Sequence, residues 1–198
     1  MIPGRKVRLR AYKDDDLKHA AAMINNQAVT RFLQFMRPRS LHEEREWLDG
    51  VMRNANPHSF QLAIDSMDGE FLGGVGLMHI DRRNRTAELG ISIGRPEDWG
   101  RGFGTEAAIL MLRHGFEEMN LHRIHLRVYD YNTRGQRSYT RIGFVEEGRL
   151  RQAHFRHGTW HDVVLMGILA DEFFARHGRS EDGKVLDAAP APASVPAR

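Results

Sequence analysis

Cysteine is absent from the 198 residues. That excludes disulfides, thiolate metal sites and a cysteine nucleophile. Long apolar runs are lacking too: no stretch approaches the roughly 20 residues a membrane-spanning helix needs. The first residues, Met1-Ile2-Pro3-Gly4-Arg5-Lys6, carry basic groups without an apolar segment behind them, so no secretory leader is expected. A cytoplasmic protein with no membrane partner is the expectation. A large excess of one charge is missing as well. The formal net charge is +3, which admits an anionic ligand or an RNA surface and demands neither.

What is present reads as one domain, residues 1–177, and a tail, residues 178–198. The tail ends Ala-Ala-Pro-Ala-Pro-Ala-Ser-Val-Pro-Ala-Arg. It has too little apolar surface to offset its ordering entropy and is expected to be disordered. In the domain, Val7, Leu9 and Ala11 alternate with polar residues as in a strand. Asp14-Asp15-Asp16 offers N-cap chemistry for a helix through Ile24. Ser40 and Glu43 form a capping-box pattern ahead of a helix from Glu43 to Met52. Strands are predicted around Phe60–Ile64, over Phe71–Ile80 after an Asp68-Gly69 turn, and over Ala87–Ile93. A loop from Gly94 to Gly104 leads into a helix with Ile109, Leu112, Phe116 and Met119 on one face. Further strands are predicted at Ile124–Val128, Phe144–Leu150 and Val163–Ile168, with a short helix from Gln136 to Ile142 ended by Gly143. Helices interrupting a strand order imply an α/β domain with a mixed sheet and helices packed on it.

The most informative segment is Pro96-Glu97-Asp98-Trp99-Gly100-Arg101-Gly102-Phe103-Gly104-Thr105. Three glycines at every second position remove Cβ atoms where backbone approaches a ligand closely. Consecutive amides there can form an anion nest, and the following helix adds unpaired amides and a positive dipole end. Arg101 adds a charge. A pyrophosphate suits this arrangement. A plain flexible turn is the competing reading. A Walker loop would need Gly-Lys-Ser/Thr, and the segment ends Phe103-Gly104-Thr105. A dinucleotide fingerprint would need its third glycine elsewhere.

The spacing resembles motif A of the GNAT acetyltransferases, Gln/Arg-x-x-Gly-x-Gly/Ala, with Gly102 and Gly104 matching and Trp99 departing from the first position. Trp-Gly-Arg-Gly is familiar in the branch acting on ribosomal-protein N-termini and polyamines. Ala87-Glu88-Leu89-Gly90-Ile91, the series Asn132, Tyr139 and Ile142-Gly143-Phe144, and His157 to Met166 resemble other parts of that family. The likeness covers nearly all of residues 5–175. It implies a mostly antiparallel sheet with one splayed strand pair and helices on both faces. It also implies acetyl transfer from acetyl-CoA to a primary amine, and homodimerisation.

By the same resemblance the thioester lies beside Ile91, Ser92 and Ile93, whose backbone amides polarise it. The loop from Trp99 through Gly100, Arg101, Gly102, Phe103 and Gly104 to Thr105 holds the diphosphate, and Asn132 and Arg137 complete the cofactor set. Tyr139 is the candidate general acid, because ordinary phenol and thiol pKa values, near 10 and near 8.5, make proton transfer to the departing sulfur nearly balanced. Its competing role is packing, and that of Asn132 is a helix N-cap. Glu88 is the candidate general base, against a plain solvated strand residue.

His154, His157 and His161 lie close together but lack a carboxylate at helical spacing, so no metal is expected. Arg149, Arg151, His154, Arg156 and His157 make the closing hairpin basic. A polyamine would meet like charge there, which favours a peptide or protein N-terminal amine, such as that of a ribosomal protein, or a small amine. A polyamine acceptor stays as one alternative. A non-catalytic module that holds RNA or a ribosome through the hairpin is another. Phe32, Phe35, Met36 and Trp47 are candidates for a wall of the acceptor groove or for core.

Overall fold

The computed structural model describes residues 1–34 and 37–180. The expectations for Phe35 and Met36, and for the tail beyond Ser180, lie outside the described residues. Eight strands form one sheet. They are β1 (Ile2–Pro3), β2 (Val7–Arg10), β3 (Phe60–Ser66), β4 (Phe71–Asp81), β5 (Thr86–Ile93), β6 (Arg123–Tyr129), β7 (Val145–Arg156) and β8 (Thr159–Leu169). Their order across the sheet is β1-β2-β3-β4-β5-β6-β8-β7. Every neighbouring pair is antiparallel except β5 and β6, which run parallel. The expected mixed, mostly antiparallel sheet is present. Among the described residues no helix is long and apolar enough to cross a membrane.

Six helices lie between and after the strands: α1 (Asp16–Ile24), α2 (Gln27–Thr30), α3 (Leu41–Met52), α4 (Phe103–Glu117), α5 (Thr133–Ile142) and α6 (Ala170–His177). Both sheet faces are covered. Leu62 and Ile64 of β3 join the main core with Met111 and Leu112 of α4, Ile142 of α5 and Phe173 of α6. Ala63, between them, faces Tyr12, Leu17 and Leu48 on the α1 and α3 side. This period of two is what a sheet buried on both faces requires.

Several boundaries differ from the sequence expectations. Helix α5 starts at Thr133 rather than Gln136, because Asn132 Oδ1 accepts from Gly135 N (3.0 Å) and caps it. The closing strands run on to Arg156 and start again at Thr159, because positive φ at His157 and Gly158 closes a tight turn. Helix α6 had no sequence expectation. The Asp14–Asp16 run does not act as an N-cap: Asp15 stands at the cap position without a side-chain bond. Asp16 turns inward instead.

There it meets Arg10, whose guanidinium forks onto Asp16 (2.7 and 2.8 Å) and onto Asp65 of β3 (2.6 and 2.8 Å). Both carboxylates are at most 4% exposed. Burial pushes the Asp16 carboxyl up, but the Arg10 fork and the Lys13 amide outweigh it and hold the group below its ordinary value. Asp16 therefore adds stability above its unfolded pKa near 3.9 and loses it as pH falls through the lower folded value. Arg10→Ala strands two buried carboxylates. Chemical denaturation at neutral pH is expected to show a loss of about 3–5 kcal/mol, with the deficit shrinking as pH drops below about 4.

Candidate active site

The parallel pairing of β5 with β6 covers only Thr86↔Arg123, Ala87↔Ile124 and Glu88↔His125. Beyond it β5 stays in register with β4 as far as Ile93↔Gly73, while β6 stays with β8 as far as Tyr129↔Val163. The edge of β5 from Leu89 to Ile93 that faces β6 therefore has no strand partner. This is the splay expected beside Ile91, Ser92 and Ile93. The Ile91 and Ile93 side chains pack under the first turn of α4, where a Cβ on Gly104 would touch both, so their contribution to the gap is backbone.

The glycine loop stands at the open end of the gap. Pro96–Asp98 make one 3-10 turn and α4 starts at Phe103. Gly100 (φ 78°) and Gly102 (φ 90°) are left-handed, a conformation glycine adopts without strain. Among the described residues, no protein group accepts from the amides of residues 100 to 105. A row of free amides on a helix N-terminus is an anion site. Trp99 closes the start of the loop by donating from Nε1 to Ile93 O (3.0 Å).

Arg101 is anchored within the loop. It donates to Asp98 (3.0 Å) and lies over the Phe103 ring at 4.8 Å. Asp98, 2% exposed in its side chain, also accepts from Arg95 (2.6 Å). Its two flanking arginines thus tie down the loop. A second strap comes from the N-terminus. Glu106 in the first turn of α4 accepts from the Arg5 and Lys6 amides (2.5 and 2.8 Å), and Lys6 Nζ donates to Arg101 O (3.0 Å). Neither Asp98 nor Glu106 stood out in the sequence. The Arg-x-x-Asp-x-x-Arg spacing was the available signal for Asp98, and nothing local pointed to Glu106.

Helix α5 lines the other side. Thr105 Oγ1 and Ser138 Oγ share a hydrogen bond (2.8 Å) that ties it to α4. Tyr139 packs edge-on against Phe144 (5.9 Å), and among the described residues no hydrogen bond acts on its phenol. Burial pushes that phenol up to about 12, and the Arg134 charge pulls weakly the other way. Asn132 spends its oxygen on the α5 cap. Arg137 is exposed on α5. Glu88 sits where the splay begins, held by Arg127 at 3.0 and 3.1 Å with His125 Nε2 4.0 Å away. Proton abstraction by Glu88 requires that pair to open.

An aromatic cluster caps the mouth of the gap. The Phe32 ring lies 6.0 Å from Trp99 and 6.1 Å from Tyr131. The Arg134 guanidinium stacks on Trp99 at 3.7 Å. Tyr131 donates to Arg31 O (2.6 Å). His154 stacks on Tyr129 at 3.9 Å, and His161 approaches Asp130 at 3.3 Å. The basic hairpin is thus divided. His154 turns toward the gap, while Arg149 is paired with Glu146 (2.7 Å) on the outside. Trp47 sits with Tyr12 in the second core cluster (5.3 Å) rather than at the mouth. Among the described residues, no group of three or more potential metal ligands gathers.

A family model described as the acetyltransferase (GNAT) domain matches residues 6–145. Spermidine N(1)-acetyltransferase of Escherichia coli (strain K12) is 30% identical over 177 residues, covering 89% of this chain and 93% of that one. The Bacillus subtilis (strain 168) protein named "Putative ribosomal N-acetyltransferase YdaF" is 29% identical over 84% and 93%. A crystal structure of spermidine N-acetyltransferase from Vibrio cholerae in complex with CoA and spermine superposes with a TM-score of 0.79. Its identity is 28%, with coverage of 85% and 98%.

The left-handed position of Gly102 gives a direct check on the loop. Gly102→Ala is expected to cost about 1–2 kcal/mol in chemical denaturation, since a Cβ there would also stand 3.1 Å from Lys6 Nζ.

Proposed function

The chain belongs to the GNAT acetyltransferases and transfers an acetyl group to an amine, and from that premise we propose which residues do so. The observation that carries the reading is the row of free amides from Gly100 to Thr105 at the open end of an unpaired strand edge. One long ligand with a diphosphate at one end and a thioester at the other suits both parts. Acetyl-CoA is that ligand, as CoA is in the Vibrio cholerae structure. The loop amides and the α4 N-terminus hold the diphosphate. The backbone of this open edge, outward at Ile91 and Ile93 while that of Ser92 turns toward β4, bonds the pantetheine arm and stabilises the oxyanion that develops on the thioester carbonyl. Asn132 Nδ2, left open by the cap, and Arg137 complete the cofactor side.

The amine attacks in its neutral form, a C–N bond replaces the C–S bond, and the departing sulfur takes a proton. Tyr139 donates it. Its phenol at about 12 against a thiol near 8.5 leaves a gap of about 3.5, or about 5 kcal/mol. The near-balance expected from ordinary values is therefore lost. The phenol stays fully protonated and first stabilises the sulfur as a hydrogen-bond donor. The proton crosses only as the C–S bond breaks. Glu88 serves as base through water once Arg127 releases it.

The acceptor is a peptide or protein N-terminal amine, including that of a ribosomal protein, or a small amine. The whole activity resides in residues 1–177 and works in the cytoplasm, in keeping with a chain without cysteine. A homodimer belongs to the same reading. Its apolar contact would be Phe155 and Trp160 at the hairpin tip, with tilted rings 4.9 Å apart and each more than half exposed.

Acetyl-CoA at 100 times its Kd is expected to stabilise the protein by about 2.7 kcal/mol, read as a rise in melting temperature. No rise at millimolar ligand would contradict the site. Tyr139→Phe is expected to lower kcat about a hundredfold with little change in cofactor affinity. Because activity through an acid is lost as pH rises through its pKa, the wild-type kcat profile is expected to show no fall from this group below about pH 10. Equal loss of turnover and affinity in the variant would make Tyr139 a packing residue.

A further inference from the structure

Arg31, Arg134 and Arg156 surround the mouth of the gap, and none has a carboxylate partner among the described residues. Arg134 stands on the loop side, over Trp99. Arg134 also reaches the Phe32 ring at 5.4 Å, and Arg31 and Arg156 stand by the segment that carries Phe32 and Leu33. The Arg31 guanidinium lies over that ring at 5.0 Å, and Arg156 Nη1 makes only a long contact of 3.4 Å to Leu33 O. Both charges act on the Tyr131 phenol between them. Arg156 Nε and His154 Nε2 are buried and have no hydrogen-bond partner. An orphaned buried donor costs about 1–3 kcal/mol, and such exceptions call for a ligand or a water. Asp130 is the carboxylate beside this cluster. Its Oδ2 accepts from the Asp162 amide (3.0 Å), while its Oδ1, buried without a hydrogen-bond partner, lies 3.3 Å from His161 Nδ1. The wall therefore offers more unpaired positive charge than negative.

We infer that the acceptor amine carries an anionic group, a carboxylate or a phosphate, held by Arg156, Arg31 and the open His154 nitrogen while its amine faces the thioester. The inference rests on the acetyltransferase reading above and narrows its substrate class. The diphosphate has its own site in the loop amides, so the Arg31 and Arg156 donors are left for the second substrate. A polyamine would bring several positive charges to two unpaired guanidinium groups, an arrangement that disfavours binding.

Thiol release from acetyl-CoA tests it with matched amines: tyrosine against tyramine, O-phosphoethanolamine against ethanolamine, and spermidine alone. The anionic member of at least one pair is expected to show a kcat/KM about tenfold or more above its uncharged counterpart and above spermidine. Which pair shows the gap separates carboxylate from phosphate. Arg156→Ala is expected to erase most of that advantage, and Arg156→Lys to keep part of it. In the unmodified protein the advantage is expected to narrow as salt rises, a readout that survives if the variant folds poorly. Spermidine or the uncharged amines turning over as fast as the anionic ones would overturn the inference alone, as would an advantage that Arg156→Ala leaves intact. Release that no amine in the panel raises above the amine-free rate would count against the proposed site and this inference with it.

Discussion

Strand β6 has two edges, and β8 takes one of them along its whole length while β5 takes only the first three residues of the other. The rest of the site depends on that division. Beyond Glu88 the two parallel strands follow different partners and diverge, so backbone groups that would close a ladder stay open. An unpaired amide buried against a dry surface is costly, whereas one facing a cleft waits for a ligand at little cost. The Arg127–Glu88 fork sits at the point of divergence and straps the two strands together there.

The crossover helix α4 turns this gap into a binding site. Its N-terminus arrives at the open end with its amides free, and its first turn covers Ile91 and Ile93. A loop with two left-handed glycines would be loose by itself. Two sets of contacts hold it: the buried Asp98 with its flanking arginines, and the N-terminal strap that runs from Arg5 and Lys6 to Glu106 and Arg101. Preorganisation of this kind lowers the ordering cost that binding would otherwise carry.

On the opposite side of the gap the charges are unevenly paired. The segment from Asn25 to Ser40 contains no carboxylate; Arg37 and Arg39 pair with Glu43 and Glu44 of α3, while Arg31 lies over Phe32 and Arg156 of the hairpin reaches Leu33 O. A fold shared at a TM-score of 0.79 does not by itself fix the acceptor, since recognition lies in side chains on the frame rather than in the frame itself.

The sequence by itself determined the glycine loop, the strand before it, the amphipathic α4 and the Asn132-to-Phe144 series, because each is a pattern within about a dozen neighbouring residues. Hydrophobic period, turn chemistry and helix-end electrostatics act at that range. Where local chemistry had two outlets, the sequence could not choose between them. Asp16 served Arg10, which also holds Asp65 of β3, rather than a helix cap, and Arg101 turned one side of its guanidinium to Asp98. Only the tertiary structure decided the acid strength of Tyr139, which follows from burial. It alone also brought together the residues of the mouth: Tyr131 bonds Arg31 across 100 positions and Arg156 reaches Leu33 across 123. Contacts at that separation are set by which strands pair and which stay apart, and no stretch of chain short enough to read by pattern contains both partners.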